Sequence, residues 1–113
     1  MNEKYERQMK KGVFDMLVLK LLEQEAKYGY QLIYEMTEKS QNVFQLKEGT
    51  LYPILYRLEE EKFVVSQWSE PEGKQVPRKY YKITEEGRKA LQEISHIWEQ
   101  ICTGIACIME DKV

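Results

Sequence analysis

The final stretch of the chain carries an apolar repeat that only a helix packed against another helix can bury. Its members are spaced 3, 4, 3, 4 and 3 residues apart: Leu91, Ile94, Trp98, Ile101, Ile105 and Ile108. This alternation is the a/d repeat of a coiled-coil seam. We therefore predict that residues 85–113 form a dimerisation helix, whose six seam residues meet a second copy in a homodimer. Residues 1–84 are predicted to form a separate domain.

The domain formed by residues 1–84 is predicted to contain three helices followed by two strands. Apolar periodicity places the helices at about residues 5–22, 30–40 and 48–61, and β-branched and aromatic content places the strands at 63–68 and 79–83. In the third helix, Leu51, Ile54, Leu55 and Leu58 share one face. Thr84 is a natural N-cap for the final helix. The fold class is α+β, mostly α.

Composition excludes several other kinds of protein. Apolar residues make up 42% and charged residues 32% of the 113 residues, which is ordinary for one globular domain. No apolar run is long enough to span a bilayer and the N-terminus has no secretory signal, so we expect a cytoplasmic protein without a membrane partner. Cys102 and Cys107 form no Cys-His cluster with His96, so we expect no metal and no cofactor.

The sequence shows no pair of residues that could act as a base and a nucleophile. His96 is the single histidine, and its neighbour Ser95 points elsewhere because adjacent helix residues do not face each other. The six glycines have no phosphate-cradling spacing. We therefore expect that the protein is not an enzyme.

Positive charge is concentrated locally although the net charge is −2. That net charge argues against a sequence-blind nucleic-acid coat, which would be strongly basic. Residues 73–82 contain Lys74, Arg78, Lys79 and Lys82 and no acid, and Lys10 and Lys11 lie in another basic segment. A basic loop between two strands is suited to contact DNA phosphates.

Three helices, then a hairpin with a basic loop, is the arrangement of a winged helix-turn-helix. In this interpretation Thr50, Tyr52, Tyr56 and Arg57 face the major groove of double-stranded DNA, and Lys74, Arg78 and Lys79 face phosphate, with Lys10 and Lys11 as further candidates. Two alternatives stay open. These side chains can be ordinary solvated surface, or the winged helix can be an interaction module that docks a protein and never binds DNA.

Three segments resemble the PadR family of bacterial transcriptional regulators: YGYQLI at 28–33, EGTLYPILYRLE at 48–59 and PRKYYKITEEG at 77–87. The resemblance covers about residues 10–100 and implies a homodimeric winged-helix repressor that releases a palindromic operator when an effector binds. A single C-terminal helix is similar to the short subgroup of the family. Lys62 and Phe63 replace the Asp-Gly or Lys-Gly turn that is more usual before the first strand.

The resemblance also assigns roles to individual residues. Thr50, Tyr52 and Arg57 fall on the recognition helix, Arg78 and Lys79 at the end of the wing, and Tyr28 and Tyr30 at the start of the second helix. Trp98 matches a tryptophan that, in some short members, stacks flat aromatic compounds between the subunits. The candidate contacts for a planar aromatic effector are Met9, Asp15, Met16, Trp98 and Cys102. The alternative is that Trp98 packs against its twofold mate without a ligand.

Overall fold

A computed structural model describes residues 3–71 and 73–111 of the chain. The helices are α1 (Glu3–Lys10), α2 (Phe14–Leu21), α3 (Gly29–Lys39), α4 (Glu48–Glu60) and α5 (Glu85–Glu110). The strands are β1 (Lys27–Tyr28), β2 (Val64–Trp68) and β3 (Lys79–Ile83). Helices α3 and α4 form the helix-turn-helix, and β2 and β3 form the wing, so the fold is the predicted winged helix.

The first predicted helix is two helices. Gly12 has a φ of 93°, a left-handed conformation that glycine adopts without steric cost, and it separates α1 from α2. Helix α2 buries Val18 and Leu19, whereas α1 has no buried residue. The prediction of one continuous helix from residue 5 was therefore wrong, because the apolar periodicity it followed belongs to α2 alone.

The core joins one face of α2, α3 and α4 and the first turns of α5 to the inner face of the wing. Its fully buried side chains are Val18, Leu19, Leu22, Leu32, Leu51, Leu55, Leu58, Val64 and Tyr81. Leu51, Leu55 and Leu58 form the apolar stripe of α4 together with Ile54. This packing fixes α4 against α2 and α3, and leaves the opposite face of α4 at the surface.

The sheet has three antiparallel strands in the order β1-β3-β2. Strand β1 was not predicted, because two residues are too short to show a periodicity. The buried Lys27 of β1 donates to the Leu21 carbonyl and to Glu35 Oε1, each at 2.6 Å. Burial opposes ionisation of Glu35, but hydrogen bonds from Lys27 and Lys39 outweigh it and lower the pKa of Glu35. This stabilisation is present above the ordinary carboxyl pKa and is lost as the pH falls through the lowered one.

Helix α5 begins at the predicted cap, where the Thr84 hydroxyl accepts a hydrogen bond from the Gly87 amide at 3.0 Å. Leu91 is only 4% exposed and lies in the core of the single chain, with Ile94 packed against that core. The structure therefore places Leu91 beneath α2 and the wing rather than on the exposed face of α5. The exposed apolar face begins at Ile97 and Trp98 and continues to Met109.

Helix α4 ends in a Schellman motif that has a lysine where glycine is usual. The Phe63 amide donates to the Leu58 carbonyl at 2.9 Å, and the Lys62 amide donates to the Glu59 carbonyl at 3.0 Å. Lys62 has a φ of 66°, in the left-handed region. The tight turn into β2 therefore forms even though the sequence departs from the usual glycine, at the steric cost of one left-handed side-chain-bearing residue.

Lys62→Gly is expected to raise the free energy of unfolding by about 1 kcal/mol, because glycine removes the Cβ that disfavours the left-handed conformation. Urea unfolding followed by circular dichroism, at one protein concentration, measures this change. The control is Lys62→Ala, which removes the long side chain and keeps the Cβ, and which should bring no such gain. Equal stability of the glycine and alanine variants would contradict the account of this turn.

Candidate nucleic-acid interface

The outer face of α4 carries side chains that can enter a DNA groove. Thr50, Tyr56 and Arg57 are exposed on the side opposite the leucine stripe, as predicted from the periodicity of the helix. Glu48, at the start of α4, accepts a hydrogen bond from the exposed Tyr30 of α3, and this bond and its charge raise the pKa of Tyr30. The recognition helix and α3 are thus connected by polar side chains at the surface.

Tyr52 is half-buried between the two helices of the helix-turn-helix. A Cβ at Gly29 would overlap the Tyr52 hydroxyl, so α3 and α4 approach closely because residue 29 has no side chain. The Tyr52 and Tyr56 ring centroids are 6.3 Å apart. Tyr52 therefore holds the two helices in register and supports the exposed Tyr56, and only part of its ring is accessible to DNA.

Arg78 is held at the start of α3 by an aromatic ring. Its guanidinium lies 4.6 Å from the centroid of the Tyr28 ring, a cation–π contact, and Tyr28 packs edge-on against Tyr80. Tyr28 precedes the first residue of α3, and its amide donates to Gln31 Oε1 at 3.0 Å. This arrangement places a cation beside the N-terminus of α3, where the helix dipole also favours an anion.

Lys79 is held on the opposite face of the wing, close to α4. Its ammonium is 5.8 Å from the centroid of Tyr56 and 5.6 Å from that of Tyr81. Trp68 is the ladder partner of Lys79, so the two side chains share one face of the sheet, and Trp68 is 63% exposed. We call the surface formed by Tyr56, Trp68 and Lys79 the wing crease.

Trp68 is a candidate site residue that the sequence did not indicate. An aromatic residue at the end of a predicted strand is typical of a core position, but Trp68 is 63% exposed, and its pairing with Lys79 places it beside a cation. Tyr81 lies beneath the wing crease, and its burial raises the pKa of its hydroxyl to about 12. A phenol is uncharged at neutral pH in any case, and the raised pKa keeps Tyr81 uncharged into the alkaline range, so that it adds no negative charge under the cations of the wing.

The loop of the wing and the first two helices supply the remaining predicted cations. Lys74 is exposed in the loop. Lys11 is exposed after α1, whereas Lys10 pairs with Glu6 at 3.3 Å and also donates to the Val43 carbonyl. Lys10 is therefore engaged in joining α1 to the segment before α4, which leaves Lys11 and Lys74 better placed to meet phosphate.

Arg57 makes an ion pair that the sequence did not indicate. Its Nη2 lies 2.5 Å from Oδ1 of Asp15, in the first turn of α2. Both residues line a groove between α1, α2, the segment before α4 and α4 itself. Asp15 is thus paired with the recognition helix in the single chain. Its predicted place beside Trp98 in an effector site depends on a second copy of the chain and stays a prediction.

The other candidate effector residues lie on separate elements of the single chain. Met9 is exposed on α1, Met16 packs against the core from α2, and Trp98 and Cys102 are exposed on α5. Trp98 is 40% exposed. Their grouping stays a prediction that depends on a second copy of the chain.

Residues 18–93 match the protein family described as Transcriptional regulator PadR-like family. The chain belongs to this family. A transcriptional regulator from Clostridium thermocellum is 30% identical with a TM-score of 0.81, and the match covers 88% of this chain and 95% of that one. A PadR family regulator from Eggerthella lenta is 33% identical with a TM-score of 0.81, over 93% and 88% of the two chains. A PadR family regulator from Clostridium difficile is 33% identical with a TM-score of 0.77, over 87% and 99%.

Membership confirms the family that the three sequence segments indicated. PadR-like proteins are transcriptional regulators and not enzymes, so the winged helix described above is that of a DNA-binding regulator. His96, the only histidine, is exposed on α5. Within residues 3–71 and 73–111, no helix has the length and hydropathy needed to cross a membrane.

Proposed function

We propose that this PadR-like regulator is a cytoplasmic homodimer that binds a palindromic operator and represses transcription until a planar aromatic effector releases it. The observation that carries the proposal is that both faces of the wing hold a cation on an aromatic ring beside the helix-turn-helix. Arg78 lies against Tyr28 on one face and Lys79 against Tyr56 on the other, and Thr50, Tyr56 and Arg57 project from the neighbouring recognition helix.

The DNA contacts divide into two kinds. Helix α4 enters the major groove, where Thr50 and Tyr56 approach the base edges. Arg78, Lys79 and Lys74 of the wing meet phosphates, with Arg78 beside the dipole of α3. Trp68, Tyr28 and Tyr30 offer ring surface or a hydroxyl to the sugar-phosphate backbone at the same edge. Because the two wing cations rest on rings, less side-chain entropy is lost when they bind.

Dimerisation is supported by the apolar face that α5 leaves uncovered. Trp98, Ile101, Ile105 and Ile108 are between 40% and 77% exposed in the single chain. A contiguous apolar stripe of this kind marks an interaction surface. Residues 85–113 supply this surface, and Leu91 and Ile94 anchor it to the domain formed by residues 1–84. Two copies then present their recognition helices about 34 Å apart, one turn of DNA.

The effector site follows from the size of Trp98. An indole at a seam position cannot pack as leucine does, so two of them across the twofold axis hold the helices apart and admit a planar aromatic compound. The proposed neighbours of the compound are Met9, Asp15, Met16 and Cys102. A ligand that changes the angle between the helices changes the spacing of the recognition helices and so weakens DNA binding.

Arg78→Ala is expected to reduce the slope of log affinity for duplex DNA against log salt by about 0.9, because one phosphate contact is lost. Fluorescence anisotropy of a labelled duplex over a range of salt concentrations measures the slope. The matched control is Lys89→Ala, which removes an exposed cation from α5, away from the wing, and should leave the slope unchanged. Binding that does not respond to salt would favour a winged helix that docks a protein instead.

Ile105→Asp is expected to convert the dimer to a monomer, because it buries a charge at the centre of the proposed seam. Light scattering measures the mass of the particle, and circular dichroism shows whether the winged helix remains folded through its Leu91 anchor. Glu99→Ala, a change of an exposed residue on the same helix outside the seam, is the control. A wild-type protein that scatters as a monomer would contradict the proposal.

A further inference from the structure

The ion pair between Asp15 and Arg57 joins two helices far apart in sequence. Arg57 Nη2 lies 2.5 Å from Asp15 Oδ1, and the two side chains are 49% and 31% exposed, respectively. An ion pair this open to solvent contributes little to stability, since water and salt screen it. The core beneath it is formed by leucines and does not need the pair, so the contact is free to be exchanged for another.

Arg57 occupies a position from which it can reach DNA. It lies two turns after Thr50 on the same flank of α4, and both residues line the groove beside the recognition helix. That flank is opposite the one bearing Tyr52, which faces α3. Lys11 and Lys47 line the same groove, so a phosphate that approaches this flank meets a group of cations.

A phosphate and the Asp15 carboxylate require the same guanidinium. Arginine pairs with either anion through its planar set of N–H donors. Asp15 occupies the Arg57 guanidinium in the free protein, so a phosphate has to displace the carboxylate before it can bind Arg57. Lys10, in the same groove, is similarly paired with Glu6, which shows that acids here restrain cations on the side of α1.

We propose that Asp15 competes with DNA for Arg57, so that this acid lowers the affinity of the regulator for every duplex. The inference rests on the proposed DNA binding and adds a positioning residue to it, which acts through Arg57 and need not touch DNA. Because phosphate contacts carry no sequence information, the competition reduces binding to operator and non-operator DNA alike. It limits the time that the protein spends on non-operator sequence.

The test compares Asp15→Asn, Arg57→Ala and the double variant with the wild-type protein by anisotropy with labelled duplex DNA. Asp15→Asn should bind about fivefold more tightly at one salt concentration, the size of one exposed charge-assisted contact. It should also steepen the salt dependence by about 0.9, because Arg57 becomes an additional phosphate contact. Asp15→Glu, which keeps the charge, should bind as the wild type does.

The double variant separates competition from a general change of charge. With Arg57 absent, Asp15→Asn should bind no more tightly than Arg57→Ala alone. A gain in DNA affinity from Asp15→Asn that persists without Arg57 would overturn the proposal. Weaker binding by the single variant Asp15→Asn would also overturn it, because Asp15 would then orient Arg57 for DNA. Equal binding would overturn it as well, because Asp15 would then have no role. If the wild-type protein shows the expected salt slope but the variants do not show the expected affinities, only the inference about Asp15 is contradicted. A wild-type protein without affinity for duplex DNA would overturn the proposed function as well.

Discussion

The packing of the leucine stripe of α4 against α2, α3 and the wing is the interaction on which the rest of the structure depends. Leu51, Leu55 and Leu58 are fully buried, which fixes the rotation of α4 about its own axis. That rotation decides which side chains reach the surface. Thr50, Tyr56 and Arg57 face outward because the stripe faces inward, and a rotation by one residue would turn a leucine toward the DNA.

The same packing explains how a protein of net charge −2 presents a surface for a polyanion. Its 17 lysines and arginines are outnumbered by 19 acidic residues, so the placement of the cations matters more than their number. Arg78 rests on Tyr28 and Lys79 lies between Tyr56 and Tyr81, and these rings belong to α4, β1 and β3. The helix-turn-helix and the wing therefore position each other's charges. On the opposite flank, Asp15 and Glu6 hold Arg57 and Lys10 in ion pairs.

Much of the fold could be predicted because its signals are local. The stripe of α4 and the cap at Thr84 depend on residues within a few positions of one another, and the structure confirms both. The break at Gly12 could not be predicted from apolar spacing, since only a φ of 93° reveals it. Leu91 has the heptad spacing of the other seam residues of α5, but it is buried in the core of the single chain.

The features of the candidate site that the sequence could not show depend on contacts between distant residues. Asp15 and Arg57 are 42 positions apart in the sequence. Trp68 and Lys79 share a face of the sheet only because the strand register pairs them. The family segments placed the recognition helix and the wing correctly, whereas the side chains that restrain or extend their contacts required the folded chain.

In the proposed dimer, α5 sets the spacing between two copies of the unit formed by α4 and the wing. Selection of bound duplexes from a random pool tests this arrangement. The enriched sites should contain two inverted half-sites whose centres lie about 10 base pairs apart, one turn of the double helix. Enrichment of a single unsymmetrical element, or no enrichment over scrambled competitor, would contradict it.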